Sequence, residues 1–398
     1  MSSALTAYAV PPLARQHLNA CASTFVVERP PDRLPLKFHR RMPGYVPTPL
    51  LNATVLAQLL GVRRLLVKNE TNRLGMRSFK VLGASWATFH ALETYRRKRF
   101  GQGFAPWSSI NELAQQVHEH TSAPRLVAAT DGNHGHAVAY VARLLGLSAE
   151  IYVPRGTAGA RVEAIEAEGA LVKVVDGGYD DAVRASAACV GEDGLVIDDT
   201  SWDGYEDVPR KVIEGYSTIF WEIDEAIQEL DDAAPDVVIV QAGVGALAAA
   251  VVRHFKRGDG PRPRIIAVEP SGAACCLTSA ARGKVSTLGG EQRSIMAGLN
   301  CGTPSLVAWP YVSHGVDAFL AIEDGSVTTA IRMLDDVGVT AGETGAAGLA
   351  GLLCLLQDDR AAALREKIGV TSGCQVLLLL TEGVTDPVRH AAVLEGVH

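Results

Sequence analysis

Short apolar runs recur along the chain, spaced so that a helix fits between most of them. Residues 65–68, 126–129, 149–153, 171–175, 195–197, 237–240, 265–268 and 376–380 are such runs, built largely from Val, Leu, Ile and Ala. Unbroken rather than alternating apolar character marks a strand whose sheet is covered on both faces. The intervals carry helical patterns, for example at 79–97, 134–145, 158–168 and 209–230. Strands alternating with helices predict parallel sheets with right-handed crossovers, whose ligands bind at the carboxyl ends of the strands. Residues 1–45 read as an irregular, proline-bearing arm, and 101–123 are polar with no assignable period. There are no internal repeats and no low-complexity tract.

The chain has 398 residues, more than one hydrophobic core usually serves. Two lobes are therefore expected in an α/β protein, each an open, mostly parallel sheet flanked by helices. Residues 1–76 and 191–398 are assigned to the large lobe and 77–190 to the small one, with the ligand site between them. The net charge of −7 leaves no basic footprint for nucleic acid. The longest apolar stretch, 237–252, is broken by Gln241 and two glycines and is too short to span a bilayer. The seven cysteines are odd in number and show no C-x-x-C spacing, which suits reduced, buried thiols in a cytoplasmic protein.

Three segments carry chemistry. In the first, the strand at 236–241 runs into Gly243-Val244-Gly245-Ala246-Leu247, which opens a helix. The glycines let backbone N–H groups approach an anion, and the helix N-terminus adds partial positive charge. The turn also fits a dinucleotide fingerprint, with Glu269 closing the next strand where a ribose would lie. On this turn alone, NAD, another phosphorylated cofactor and a turn without ligand all remain open.

The second segment, Ser78-Phe79-Lys80-Val81-Leu82-Gly83, places a lysine at the start of an apolar helix. Burial there would favour the neutral amine that Schiff-base chemistry needs. The plain alternative is a surface lysine with a buried stem. The third segment, Ala129-Thr130-Asp131-Gly132-Asn133-His134-Gly135-His136, ends a strand and begins a helix. Asn133 can hydrogen-bond a ring oxygen without adding charge, or simply cap the turn. His118, His120, His134 and His136 lack the spacing of a metal motif, so no metal is expected.

Lysine, asparagine loop and glycine turn occur in this order, each at a strand–helix junction. That combination resembles the fold-type-II pyridoxal-phosphate enzymes, the tryptophan synthase β and threonine dehydratase family. The resemblance implies that Lys80 carries pyridoxal 5'-phosphate and Asn133 contacts its phenolic oxygen. It also implies that Gly243, Val244, Gly245, Ala246 and Leu247 hold the phosphate and that Thr381 faces the pyridine nitrogen. Phe79 is expected beside the cofactor or in the core.

Within that family the chain is similar to the diaminopropionate ammonia-lyases, from about residue 38 to the C-terminus. Asp131 stands where most dehydratases carry serine. The likeness extends through Asp199-Thr-Ser-Trp202-Asp-Gly-Tyr205, Glu214-Gly-Tyr216, Ser294-Ile-Met-Ala-Gly-Leu299, Gly342-Glu343-Thr-Gly-Ala346 and Thr381-Glu-Gly-Val-Thr-Asp-Pro387. It departs at Asn69-Glu70, where Asp-Glu is usual, and at Arg77-Ser78, where Asn-Ala is common.

The implied reaction is α,β-elimination of 2,3-diaminopropionate to pyruvate and two molecules of ammonia. Lys80 would take the α-proton of the L-isomer and Asp131 that of the D-isomer. Asp199 would bind the distal amine or assist proton transfer, and Ser78 would lie beside the reactive carbon. Glu343 would approach the ring or the cleft, and Trp202 and Tyr205 would shape a substrate loop or pack in the core. The rivals are a threonine or serine dehydratase on the same fold, an NAD-dependent dehydrogenase and a non-catalytic pyridoxal-phosphate-binding protein. A cytoplasmic homodimer without nucleic-acid or membrane partners is expected.

Overall fold

The structure is a computed structural model describing residues 5–24, 26–27, 31–119, 123–188, 193–230, 233–258 and 262–396. Its strands are β1 (Arg15–Leu18), β2 (Leu50–Asn52), β3 (Arg64–Asn69), β4 (Arg125–Ala129), β5 (Ala149–Pro154), β6 (Leu171–Val175), β7 (Gly194–Val196), β8 (Val237–Gln241), β9 (Arg264–Pro270), β10 (Ala318–Ile322) and β11 (Gln375–Leu380). The helices that bear on the sites are α1 (Lys80–Phe100), α2 (Ile110–Val117), α3 (Asn133–Leu145), α4 (Tyr179–Ala188), α5 (Asp207–Gly215), α6 (Ser217–Glu229), α7 (Ala246–Phe255), α8 (Cys275–Arg282) and α9 (Glu343–Gln357).

The chain divides into two compact units. One comprises Met1–Pro31, Pro47–Asn72 and Ile219–His398, and the other Asp32–Val46 and Arg73–Thr218. The first holds a seven-stranded sheet in the order β1-β10-β9-β8-β11-β3-β2. Its five interior strands run parallel and its two edge strands antiparallel. Strands β8, β10 and β11 are buried at every residue, the signature of a sheet covered on both faces. Leu349 and Leu353 of α9 share a core with Ile239, Val268 and Leu378. The second unit holds a parallel four-stranded sheet, β6-β5-β4-β7.

Every predicted strand is present, with β7 one residue earlier than its apolar run. Three strands are additional. β10, Ala-Phe-Leu-Ala-Ile, is a short buried run without alternation, which pattern alone does not separate from helix. β1 corrects the reading of residues 1–45 as irregular, because Arg15–Leu18 pairs antiparallel with β10. Helix α2 likewise occupies part of 101–123, started by a Ser109 side-chain cap. The predicted helix over 209–230 is two helices, α5 and α6, parted at Tyr216.

Two glycines explain how α5 meets α1. A Cβ on Gly83 would lie 2.5 Å from Tyr216 Cε1, and one on Gly215 would collide with the Leu82 carbonyl oxygen. The helices therefore touch backbone to backbone, which brings Tyr216 against the first turn of α1. Among the described residues, no helix is long and apolar enough to cross a membrane.

Candidate active site

In the smaller unit, Lys80 is the first residue of α1 and Asp199 follows β7 by three residues. The Lys80 ammonium donates to Asp199 Oδ2, with the two side chains 18% and 6% exposed. Tyr179, first residue of α4, donates to Asp199 Oδ1 at 2.8 Å. His134 Nδ1 lies 4.0 Å from Asp199 Oδ2, while its Nε2 contacts the Ile197 carbonyl at 2.6 Å.

Burial pulls the lysine pKa down, but Asp199, with Tyr216 and Asp131 adding to it, holds it well above the usual value. The expectation of a lysine kept neutral by burial is therefore corrected: a carboxylate in contact outweighs desolvation. Burial pushes the Asp199 carboxyl up, but the Lys80 ammonium prevails and holds it well below the usual range.

Asp131 and Asn133, both half-buried, sit on the loop between β4 and α3. Thr130 shapes this loop, its hydroxyl accepting the Gly132 and Gly135 N–H groups at 2.9 Å each. Gly132 has φ +140°, and a Cβ there would meet Arg161 Cδ at 2.8 Å, so the position requires glycine. Ser78 and Phe79 are buried beside Lys80, and the Phe79 ring centroid lies 5.7 Å from Lys80 Nζ.

Sequence reading missed Asp198, which grips the same loop. Its Oδ1 accepts the Ala129 N–H at 2.6 Å and its Oδ2 the Ser186 hydroxyl at 3.1 Å. Tyr179 and Ser186 are seven residues apart, on one face of α4, so that face holds both consecutive carboxylates. Tyr205 is part of the same brace. Its hydroxyl accepts the Asp198 N–H and donates to the Val196 carbonyl, both at 2.9 Å, and its ring stacks on Trp202 at 4.2 Å. The two aromatics thus hold the strand end that presents Asp199. A pair of acids at a strand end was the signal available for Asp198.

Burial raises the Asp198 carboxyl to about 7; the Ala129 N–H opposes the rise and Asp199 adds to it. An unfolded aspartate loses its proton near pH 4. Between about pH 4 and pH 7 the folded chain therefore binds more protons than the unfolded one, and this group's contribution to stability falls as pH rises. Asp198→Asn keeps an acceptor for Ala129 and removes the titration. The urea midpoint of the variant minus that of the parent is expected to climb between about pH 4 and pH 8. A difference independent of pH contradicts this account.

In the larger unit, β8 leads through Gly243 into α7. Gly245 has φ +92° and is the N-cap residue of α7, whose N-terminus no side chain caps. A Cβ on Gly243 would sit 3.1 Å from Cys301 Sγ and 3.2 Å from the Gly298 oxygen, and one on Gly245 3.2 Å from Val312 Cγ2. The turn is thus narrow, glycine-dependent and rich in N–H groups, which is what an anion seat requires.

Thr381 follows β11, and its hydroxyl accepts from Gln241 Nε2 at 2.7 Å. The same amide nitrogen contacts the Thr344, Gly345 and Leu379 carbonyls at 2.9–3.3 Å, while Gln241 Oε1 is buried without a partner. Glu343 is buried at the start of α9.

Glu269 does not serve a ribose. It is wholly buried, and its two oxygens accept the Cys276 and Leu277 N–H groups at 2.7 Å each, capping α8. Cys275 and Cys276 lie beside it, but its carboxylate is spent on that helix. The tempting histidines have other partners: His118 Nε2 contacts the Leu145 carbonyl at 2.9 Å and His136 Nε2 lies 3.6 Å from Glu168. His120 and Cys189 fall outside the described residues. Cys21 is exposed, contrary to the expectation of buried thiols, whereas Cys275, Cys276, Cys301, Cys354 and Cys374 are buried, and none of the six forms a disulfide among the described residues.

At the departure Asn69-Glu70 the chain makes a local side-chain turn. Asn69 Oδ1 accepts the Thr71 N–H and hydroxyl at 3.2 and 2.7 Å, forming a side-chain turn. Glu70 takes the Thr48 hydroxyl at 2.5 Å and sits 4.0 Å from Lys68, which also pairs with Glu222 at 2.7 Å. Lys68 thus lies between two buried carboxylates and offsets their charge in part.

The family model described as pyridoxal-phosphate dependent enzyme matches residues 41–373. The diaminopropionate ammonia-lyase of Escherichia coli (strain K12) is 35% identical over 378 residues, 92% of this chain and 92% of that protein. The diaminopropionate ammonia-lyase of Salmonella typhimurium is 34% identical over 362 residues, 88% of this chain and 89% of that protein. The crystal structure of the Escherichia coli enzyme in complex with D-serine matches with a TM-score of 0.87 at 31% identity, covering 98% of this chain and 99% of that one.

Proposed function

We propose that this chain, which belongs to the pyridoxal-phosphate dependent enzymes and within them to the diaminopropionate ammonia-lyase family, converts 2,3-diaminopropionate and water to pyruvate and two molecules of ammonia. The observation that carries this reading is the pair of carboxylates at Lys80: Asp199 bonded to the amine and Asp131 acting on it as a second negative charge. A substrate with a distal ammonium needs such surroundings; serine and threonine, with a hydroxyl leaving group, do not.

The residues fit pyridoxal phosphate. The uncapped, glycine-bearing start of α7 offers N–H donors to a phosphate. The Thr381 hydroxyl accepts from Gln241 and donates only at 3.5 Å to the Thr344 carbonyl, a long contact it can exchange for a ring nitrogen. Asn133 offers a neutral amide to a ring oxygen, and Lys80 supplies the amine that carries the aldehyde. Phe79 lies against Lys80 and Ser78 precedes it, next to the reacting carbon. When bound, the cofactor supplies a sink for the electrons left at the α-carbon.

Lys80 Nζ takes the α-proton of the L-isomer, and Asp131, on the other side, takes that of the D-isomer. Asp199 receives the distal ammonium and keeps its proton in place. The bond from the β-carbon to that nitrogen breaks with the electron pair going to nitrogen, so ammonia leaves. The 2-aminoacrylate left over adds water and loses the second ammonia, giving pyruvate. By base rate we place the enzyme in the cytoplasm as a homodimer.

A coupled pyruvate assay with D- and L-2,3-diaminopropionate, L-serine and L-threonine tests the reading. Both diaminopropionate isomers are expected to react, with kcat/KM at least about tenfold above the hydroxy amino acids. Preference for threonine would favour the dehydratase reading, and cofactor binding without pyruvate would favour a non-catalytic one.

A further inference from the structure

Tyr216 stands at the break between α5 and α6, wholly buried, and its hydroxyl has no partner of good hydrogen-bond geometry, although the Lys80 ammonium acts on it as a hydrogen-bonding neighbour. A buried hydroxyl left without a good partner is costly. Such an atom in a native fold calls for a functional explanation. The groups facing it are those of the site. Burial pushes the phenol well above its usual pKa; the neighbouring Lys80 ammonium opposes this, while Asp199 and Asp131 add to it. The phenol therefore keeps its proton at any working pH, able to accept one hydrogen bond and donate another.

Its position is fixed. The ring packs on Phe79 with centroids 4.7 Å apart, and on its other side α1 presents Gly83, where even a Cβ would not fit. From α3, His134 contributes a ring that burial keeps neutral, the Asp199 carboxylate opposing and the Lys80 ammonium assisting. From α4, Tyr179 is committed to Asp199. Tyr216 is thus a neutral polar neighbour of Lys80 whose hydroxyl is committed to no other group.

We propose that Tyr216 is a positioning residue for Lys80: once the substrate has replaced Lys80 on the cofactor and its distal ammonium has taken Asp199, the Tyr216 hydroxyl accepts the hydrogen bond of the freed lysine amine and aims it at the α-proton of the L-isomer. This rests on the assignment of Lys80 to the L-isomer and Asp131 to the D-isomer. The exchange has an electrostatic logic. While Asp199 holds the lysine, the amine is an ammonium and has no lone pair for a proton. A neutral phenol holds the amine without stabilising its charge as a carboxylate does. Lys80 then gains the α-proton as the C–H bond breaks, and Tyr216 keeps its own proton throughout.

Tyr216→Phe tests this, because it keeps the ring against Phe79 and Gly83 and removes only the hydroxyl. With the L-isomer, kcat is expected to fall about 10- to 100-fold, since misaiming a reacting group by an ångström costs up to about 10²-fold. KM should change less than about threefold and D-isomer kcat less than about twofold. The second readout uses no turnover. In cofactor-free full-length protein, formaldehyde and cyanoborohydride methylate Lys80, followed by peptide mass spectrometry at about pH 9. Loss of an acceptor for the ammonium is expected to speed this labelling several-fold. Equal loss for both isomers, or an unaffected L-isomer, overturns the proposal, as does unchanged labelling. Should the parent protein turn over neither isomer, the proposed function fails, and the labelling rate still decides whether Tyr216 holds Lys80.

Discussion

Lys80→Ala is expected to lower pyruvate release from both isomers of 2,3-diaminopropionate by about 10³-fold or more. Lys80 is assigned two tasks, carrying the cofactor and taking the L-isomer's proton. The first is shared by both isomers, so the D-isomer is not spared even though Asp131 remains. The substitution also leaves Asp199 buried, 6% exposed, without the ammonium that compensates it. Removing one partner of a buried ion pair destabilises by about 3–5 kcal/mol, so lost activity in this variant alone would be ambiguous. Lys80→Arg resolves the ambiguity. It returns a cation to Asp199 but offers no amine for a Schiff base. Its urea midpoint is expected to recover most of the alanine loss while its activity stays equally low. Activity above about a tenth of the parent in the arginine variant would remove Lys80 from the chemistry.

Asp131→Asn is expected to separate the isomers. The D-isomer loses about 10²- to 10⁴-fold in kcat, the range for a general base, while the L-isomer changes less than about tenfold. Asparagine fits the same volume, and the Thr130 hydroxyl and Gly132 tie the loop's shape. A structural collapse is therefore not the expected cause of any loss. The residual L-isomer effect reflects the charge Asp131 places on the Lys80 amine. Steady-state kinetics with each pure isomer, following pyruvate, reads both arms. Equal loss for the two isomers, or none for the D-isomer, contradicts the assignment.

Both sites were legible because their chemistry needs residues that are out of place by the rules of simple folding. A lysine opening an apolar helix, glycines at a strand–helix junction and an acid in an asparagine loop each break a local preference. The structure places Lys80 and Asp199 in contact and gives the glycine turn its positive φ. Less visible were the residues that act through backbone or through distant sequence. Asp198 works by accepting an amide from Ala129, and Thr130 by tying its own loop. None of these departs from the residue types ordinary turns use. Tyr216 was hidden because residues 209–230 read as one continuous helix, whereas the chain breaks there at the close crossing of α1 and α5. β10 escaped for a different reason, since five buried residues including two alanines carry no period. Glu269 shows the opposite error, a motif position that fits a dinucleotide yet is spent on capping α8.

The attachment of pyridoxal phosphate to Lys80 is open to one direct measurement. The purified enzyme, loaded with cofactor, is reduced with borohydride, digested and analysed by peptide mass spectrometry. The added pyridoxyl-phosphate mass is expected on the peptide containing Lys80, and is absent when Lys80 is replaced by arginine. The same mass on another lysine, or no added mass on a protein that has bound the cofactor, would contradict that attachment.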